Sequence, residues 1–195
     1  MKLGKQTIKF EHTPALRECG SVVGPKEKSG PLSTFFDTVL DDVYFGEETF
    51  EKAESKLIKK AVQNLSEKAN VDINKIDYMF AGDLLNQCIS SGYATRDLEI
   101  PFFGIYGACS TFAETNILAS ILVDGGYANK CIAAASSHFC SAERQFRMPL
   151  EQGTQTPPTG QWTVTGAGAT LIVPNSEDPK NIFPRITYVT PRKNN

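Results

Sequence analysis

The stretch from Phe102 to Ser136 constrains this chain more than any other. An apolar strand, Phe102 to Tyr106 (FFGIY), runs through the small-residue turn Gly107-Ala108-Cys109-Ser110-Thr111 into an almost wholly apolar helix, Cys109 to Asp124. A second apolar strand, Cys131 to Ser136 (CIAAAS), follows. A helix without a polar face has to be buried on all sides. Strand, helix and strand in this order make a crossover between parallel strands, so the segment predicts an α/β layered fold with a buried helix beginning at the cysteine.

The rest of the chain extends that pattern. Phe50, Ala53, Leu57, Ala61 and Leu65 recur at helical spacing between Glu47 and Ala69, with acids early and lysines later, which suits the helix dipole. Ile76 to Ala81 (IDYMFA) reads as a strand, and the polar segment Gly82 to Gln87 (GDLLNQ) then falls at its C-terminal end, where open α/β sheets face ligands. Residues 6 to 9 read as a short strand, Trp162 to Val173 as a strand broken by small residues, and Arg185 to Thr190 as the last strand. Gly20 to Gly30 (GSVVGPKEKSG) reads as an exposed loop. The prolines and glycines between Arg144 and Gln161 predict a long loop. The whole, residues 1–195, reads as one domain with a mainly parallel mixed sheet and helices on both faces.

Composition excludes several functions. With 195 residues and a net charge of −2, the chain can bury one core but has no general positive field for nucleic acid or anionic lipid. The five cysteines are scattered without CxxC spacing, which argues against a disulfide framework and against zinc and favours a reducing interior. The longest aliphatic run, Ile117 to Val123, is too short to span a bilayer, and the N-terminus lacks the apolar core of a signal peptide. No cofactor fingerprint stands out. Gly166 and Gly168 sit inside a strand pattern without a following helix, so they do not cradle a phosphate.

The candidate site residues gather near strand ends. Cys109, with Ser110 and Thr111, sits where unpaired backbone N–H groups lower a thiol pKa, although a free cysteine is also a common small core residue. Asp83, Asn86 and Gln87 can read a polar ligand or cap the next helix. One acid alone lacks the oxygen ligands that calcium needs, so no metal site is predicted. His138 follows the strand at 131 to 136 and is a ligand contact, a base for Cys109, or a hydrogen-bonded histidine at a strand end. Arg144 and Arg147 offer carboxylate forks or plain surface charge.

The ordered set AGDLLNQ, GIYGACSTFAE and SSHFCSAERQFRMPLEQGTQTPPTGQWTVTGAGA resembles the N-terminal half of thiolase-like proteins, and most specifically the stage V sporulation protein AD family. The resemblance covers essentially the whole chain. It implies a thiolase-like half-fold whose second half is absent. With that half goes the histidine, and the further histidine, asparagine or cysteine, that activates the nucleophile in enzymes of the superfamily. It implies a non-catalytic protein that binds dipicolinic acid (pyridine-2,6-dicarboxylic acid), alone or as its calcium chelate, through Cys109, Ser110, Thr111, Asp83, Asn86, Gln87, His138, Arg144 and Arg147. It implies a role in uptake of that acid into the developing spore and its release at germination. The implied setting is peripheral, on the cytoplasmic side of the spore inner membrane, with other stage V sporulation A proteins as partners. Pairing of two copies around the strand at 102 to 106 is implied as well. The alternatives are an acyltransferase or condensing enzyme using Cys109, and a scaffold without a ligand.

Overall fold

Two periodicities, two residues along the strands and 3.6 along the helices, sort the chain into layers. The computed structural model describes residues 1–146 and 163–191. Its elements are β1 (Lys2–Leu3), β2 (Thr7–Lys9), β3 (Ala15–Val23), the one-turn helix α1 (Pro25–Lys28), β4 (Thr38–Val39), α2 (Phe50–Ala69), β5 (Tyr78–Gly82), α3 (Ile89–Leu98), β6 (Phe102–Gly104), α4 (Thr111–Asp124), β7 (Cys131–Ser137), α5 (Phe139–Phe146), β8 (Gly166–Val173) and β9 (Tyr188–Val189). Six strands form one sheet in the order β4-β3-β8-β7-β5-β6. Three of its five pairings are parallel; β8 alone runs against both neighbours. β1, β2 and β9 form a small antiparallel sheet beside it.

Alternation along the central strands makes two cores. Met79, Ala81, Ile132, Ala134, Leu171 and Val173 face α2 and α3, packing on Leu57, Ile58, Ala61 and Ala94. Their neighbours Phe80, Cys131, Ala133 and Ile172 face α4, packing on Ala119 and Val123. Each fully buried Leu or Ile contributes about 1.5–3 kcal/mol, so these two layers fix the sheet between its helices. The α2 helix opens on Thr49, whose Oγ1 accepts the Lys52 N–H, and closes on Asn70 in the left-handed region. That cap places the start at Phe50, later than the apolar spacing alone suggests.

Several expectations are corrected. Gly20 to Val23 belong to β3 and not to an exposed loop, because Gly20 lets α2 lie directly on the strand: a Cβ there would fall 2.1 Å from the Ala61 carbonyl oxygen. Turn-forming composition was outweighed by this close approach. The helix after the cysteine begins at Thr111, with Ala108–Ser110 forming a 3-10 turn before it. Nor is α4 covered on all sides. One face packs on the sheet, while Phe112 on the other is 42% exposed. The long-loop reading fails at its start, since Arg144 lies within α5. The rest of that segment, through Trp162, lies outside the described residues. The final strand is reduced to Tyr188–Val189 and joins the small sheet. No described helix is long and apolar enough to cross a membrane.

Candidate functional site

The site begins where β5 stops. Gly82, its last residue, points to the α4 side, and a Cβ there would lie 1.9 Å from the Ile105 carbonyl oxygen and 2.7 Å from Thr111 Cγ2. Only glycine lets the end of β5, the 105–107 segment and the start of α4 converge. The Gly107 N–H donates to Thr111 Oγ1 at 3.1 Å, and the Ser110 N–H to the Gly107 carbonyl at 3.0 Å, closing the turn. Ala108 takes the left-handed region (φ 48°), a conformation costing an L-residue roughly 1–3 kcal/mol and characteristic of functional turns. The turn leaves the thiol of Cys109 exposed.

The sequence did not single out Glu114, one turn into α4. The Ser110 hydroxyl lies 2.6 Å from both Glu114 Oε1 and the Gly107 carbonyl, donating to one at a time. A carboxylate therefore already stands at the helix N-terminus, where the dipole favours it. Its signal was legible: it is the one acid in the first turn of an otherwise apolar helix, four residues after Ser110.

Asp83 turns away from this turn. It is buried, Oδ1 accepts the Leu85 N–H at 2.8 Å, and Oδ2 accepts the Ser91 N–H at 2.7 Å and the Ser91 hydroxyl at 2.8 Å. Its Oδ2 thus holds the first turn of α3 through Ser91, and its Oδ1 the turn before it through Leu85. Asn86 and Gln87 are exposed on the intervening turn, with Gln87 and Cys88 both left-handed (φ 62° and 51°). Cys88 Sγ donates to the Ile105 carbonyl at 3.5 Å, tying this turn to the segment before Cys109. Burial, and then the nearby Asp83 charge, push the Cys88 thiol up. It is thus a poorer nucleophile than an ordinary cysteine.

His138 is also turned inward and is 0% exposed. Its Nε2 lies 2.8 Å from the Val43 carbonyl and its Nδ1 accepts the Cys140 N–H at 3.3 Å, so both ring nitrogens meet backbone groups. The ring stacks on Phe139 and lies tilted against Phe50. Alternation explains both inward turns: Asp83 continues the Met79–Ala81 parity and His138 the Ile132–Ala134 parity, so both enter the α2 and α3 layer, opposite the face on which Cys109 opens α4. Of the expected set, the Cys109–Thr111 turn lies against the end of β5 through Gly82, and Asn86 and Gln87 stand on the following turn, which Cys88 ties to Ile105. Arg144 is placed on α5, and Arg147 lies outside the described residues.

A second unanticipated group lies beneath. Glu54 of α2 is 0% exposed and accepts from Ser136 Oγ at 2.9 Å and Ser141 Oγ at 3.1 Å. Burial, reinforced by the Asp83 charge, pushes its carboxyl up to about 7. Elsewhere, burial and then Asp77 push the Cys131 thiol up to about 12, as suits an inert core cysteine. Among the described residues no group of three or more His, Cys, Asp or Glu could hold a metal ion.

Among the described residues, the turn offers the exposed Cys109 thiol and the Ser110 hydroxyl with its Glu114 carboxylate partner, while the Thr111 hydroxyl is buried within the turn. Such a set can bind a small polar or aromatic molecule by hydrogen bonds.

The family model of Stage V sporulation protein AD (SpoVAD) matches residues 4–193. Stage V sporulation protein AD of Bacillus subtilis (strain 168) is 47% identical over 191 residues, covering 97% of this chain and 55% of the relative. The chain thus spans about half the length of that curated relative. Among solved structures, 3-oxoacyl-[acyl-carrier-protein] synthase III from Aquifex aeolicus VF5 matches with a TM-score of 0.54 at 16% identity, covering 82% of this chain and 53% of that one. Cerulenin-bound OleA of Xanthomonas campestris matches with a TM-score of 0.59 at 15% identity, covering 88% of this chain and 60% of that one. At such identities these likenesses establish the thiolase-like fold, of which this chain matches the N-terminal half.

Proposed function

This chain belongs to the stage V sporulation protein AD family, and from that premise we propose that it binds dipicolinic acid in spore formation, serving uptake of the acid into the developing spore and its release at germination. The observation that carries binding over catalysis is the separation of Cys109 from His138. The histidine is buried on the other side of the sheet with both nitrogens engaged, so the thiol has no base in reach from that residue. The ligand is a flat ring with two carboxylates, for which the Asn86 and Gln87 amides and the Ser110 and Thr111 turn are suitable neutral donors. Arg144 and Arg147 are the candidate forks for its carboxylates. Glu114 repels a bare dianion and favours the calcium chelate, whose charge is neutralised; Asp83 is left with a structural role.

The protein acts peripherally at the cytoplasmic side of the spore inner membrane, with other stage V sporulation A proteins, as a homodimer joined along β6. Phe103 and Tyr106, exposed at that sheet edge, suit such pairing. Isothermal titration with dipicolinate, with and without calcium, tests the proposal. Heat of binding is expected, larger with calcium; none in either condition overturns it. The exposed Cys109 after a strained Ala108 favours one second reading, an acyltransferase, which predicts an acyl adduct that turns over.

A further inference from the structure

Two residues of α2 one turn apart, Asn64 and Lys68, reach the outer edge of strand β3 and take the place of a neighbouring strand. β8 pairs antiparallel with β3 along its length and takes the backbone groups of alternate residues, so Cys19, Ser21 and Val23 turn theirs to the other side. On that side β4 pairs only at Val22–Thr38 and Val23–Val39, and the Leu40 N–H reaches the Val23 carbonyl at 2.8 Å. Two residues of parallel pairing hold a strand weakly.

Side chains complete the edge. The Ser21 N–H donates to Asp37 Oδ2 at 2.8 Å, the Ser21 hydroxyl lies 3.0 Å from the same oxygen, and the Asp37 N–H donates to that hydroxyl at 3.0 Å. The Ser21 carbonyl accepts Asn64 Nδ2 at 3.1 Å, and the same amide reaches Thr38 Oγ1 at 2.9 Å. Two residues earlier, the Cys19 carbonyl accepts Lys68 Nζ at 2.7 Å and the Cys19 N–H donates to Glu18 Oε1 at 2.9 Å. Lys68 joins the two ends, lying 2.9 Å from Asp37 Oδ1 and 3.5 Å from Glu18 Oε1. Every outward backbone group of Cys19 and Ser21 is thus taken by a side chain. Asp37, the residue before β4, accepts from Ser21 and from Lys68 together and so fastens β4 to both β3 and α2.

We propose that the Asp37–Lys68 pair pins β4 to β3 and thereby closes this edge of the sheet to a second copy of the chain. Without the pin, residues 18–23 present a regular unpaired strand, ended on one side by the bulge between Leu16 and Glu18. Such an edge is self-complementary. Two of them set antiparallel about Gly20 place Cys19 of one copy opposite Ser21 of the other, each with its N–H and C=O turned outward. With the pin in place, an arriving strand has to displace β4 and desolvate three charges, Glu18, Asp37 and Lys68. Neither ligand binding at the Cys109 turn nor pairing at β6 is needed for this.

Two readouts test it: hydrogen exchange at the Leu40 amide, which reports β4 on β3, and mass by light scattering at matched micromolar concentrations. In Asp37→Ala combined with Lys68→Met, Leu40 exchange in dilute solution is expected to be about tenfold or more faster than in the unmodified chain, because charge-assisted hydrogen bonds are lost. The mass is expected to reach about twice that of the unmodified chain or more and to grow with concentration, while the Cys19 and Ser21 amides become protected. Lys68→Arg, which keeps the cation, should match the unmodified chain. So should Lys59→Met, which breaks a pair of the same kind with Asp97, between α2 and α3. Should the double variant fail to fold, Asp37→Asn keeps an acceptor for Ser21 but removes the charge facing Lys68, and is expected to move both readouts in the same direction. Unchanged Leu40 exchange in a folded variant, a loosened β4 without any rise in mass, or association that leaves Cys19 and Ser21 unprotected would each overturn the proposal.

Discussion

A single oxygen of Asp83, Oδ2, receives both the backbone N–H of Ser91 at 2.7 Å and its hydroxyl at 2.8 Å, so this carboxylate acts as the cap of helix α3 from eight residues upstream. Asp83→Ala should therefore lower stability by about 3 kcal/mol, because it strands two buried backbone donors and a hydroxyl. It should leave dipicolinate affinity unchanged. Thermal unfolding together with titration calorimetry separates this from direct ligand contact, for which affinity would fall in a protein of normal stability.

Gly20→Ala should be among the most damaging single-methyl additions in the chain. The new Cβ would meet the Ala61 carbonyl oxygen at 2.1 Å and the Leu65 N at 2.7 Å, both backbone atoms that cannot swing aside. A cost of about 3 kcal/mol is expected. For a chain of this size that lowers Tm by roughly 6 to 12 °C. Differential scanning calorimetry reads it directly, and an unchanged Tm would mean that α2 does not lie on β3 as described.

Replacement of Cys109 should discriminate binding from catalysis. Cys109→Ala should keep the fold and most of the affinity, since the thiol is exposed and the turn is held by Gly107, Ser110 and Thr111. Cys109→Trp should block the site. Loss of one charge-assisted contact to a ligand carboxylate, as in Arg144→Ala, should cost roughly 1.5–3 kcal/mol of binding. Mass spectrometry after incubation with acyl-CoAs should find no stoichiometric adduct at Cys109; one that turns over would place the chain among the enzymes.

Self-association should follow from the edge of the large sheet. Phe103 is 47% and Tyr106 49% exposed, and Phe80 stacks behind Phe103 with ring centroids 4.9 Å apart. Light scattering should report about twice the 21.4 kDa chain mass, falling to the monomer in Phe103→Glu. A wild-type monomer at micromolar concentration would refute pairing at β6.

Local signals carried much of this fold. The strands at 78–82, 131–137 and 166–173 and the helices at 50–69 and 111–124 announce themselves by period. What stayed illegible depends on partners distant in sequence. Gly20 looked like a turn residue because Ala61, which requires it, is 41 positions away. For Asp83 and His138 a ligand role and a structural role stayed open, because both simply follow strands. Their parity with Met79 and Ile132 was readable, but which face would carry Cys109 was not. Glu54 escaped notice because a single acid in an amphipathic helix ordinarily reaches solvent, whereas here its partners, Ser136 and Ser141, come from elements that the helix meets only in the folded state.

The antiparallel strand β8 has a consequence for assembly of the molecule. It separates β3 from β7 and supplies the inner partner of each, with Ala15 opposite Val173 and Cys131 opposite Ile172. Until β8 is in place, β3 has only the two-residue β4 beside it, and the β7-β5-β6 half of the sheet ends in an open edge. Closing so long a loop carries its entropic cost before any contact rewards it, and sheets built that way form slowly. A chain leaving the ribosome therefore carries two incomplete half-sheets, each with an unpaired edge, until Gly166–Val173 emerges to join them. The same strand that unites the native sheet sets the interval during which the nascent chain is most open to mispairing with its neighbours.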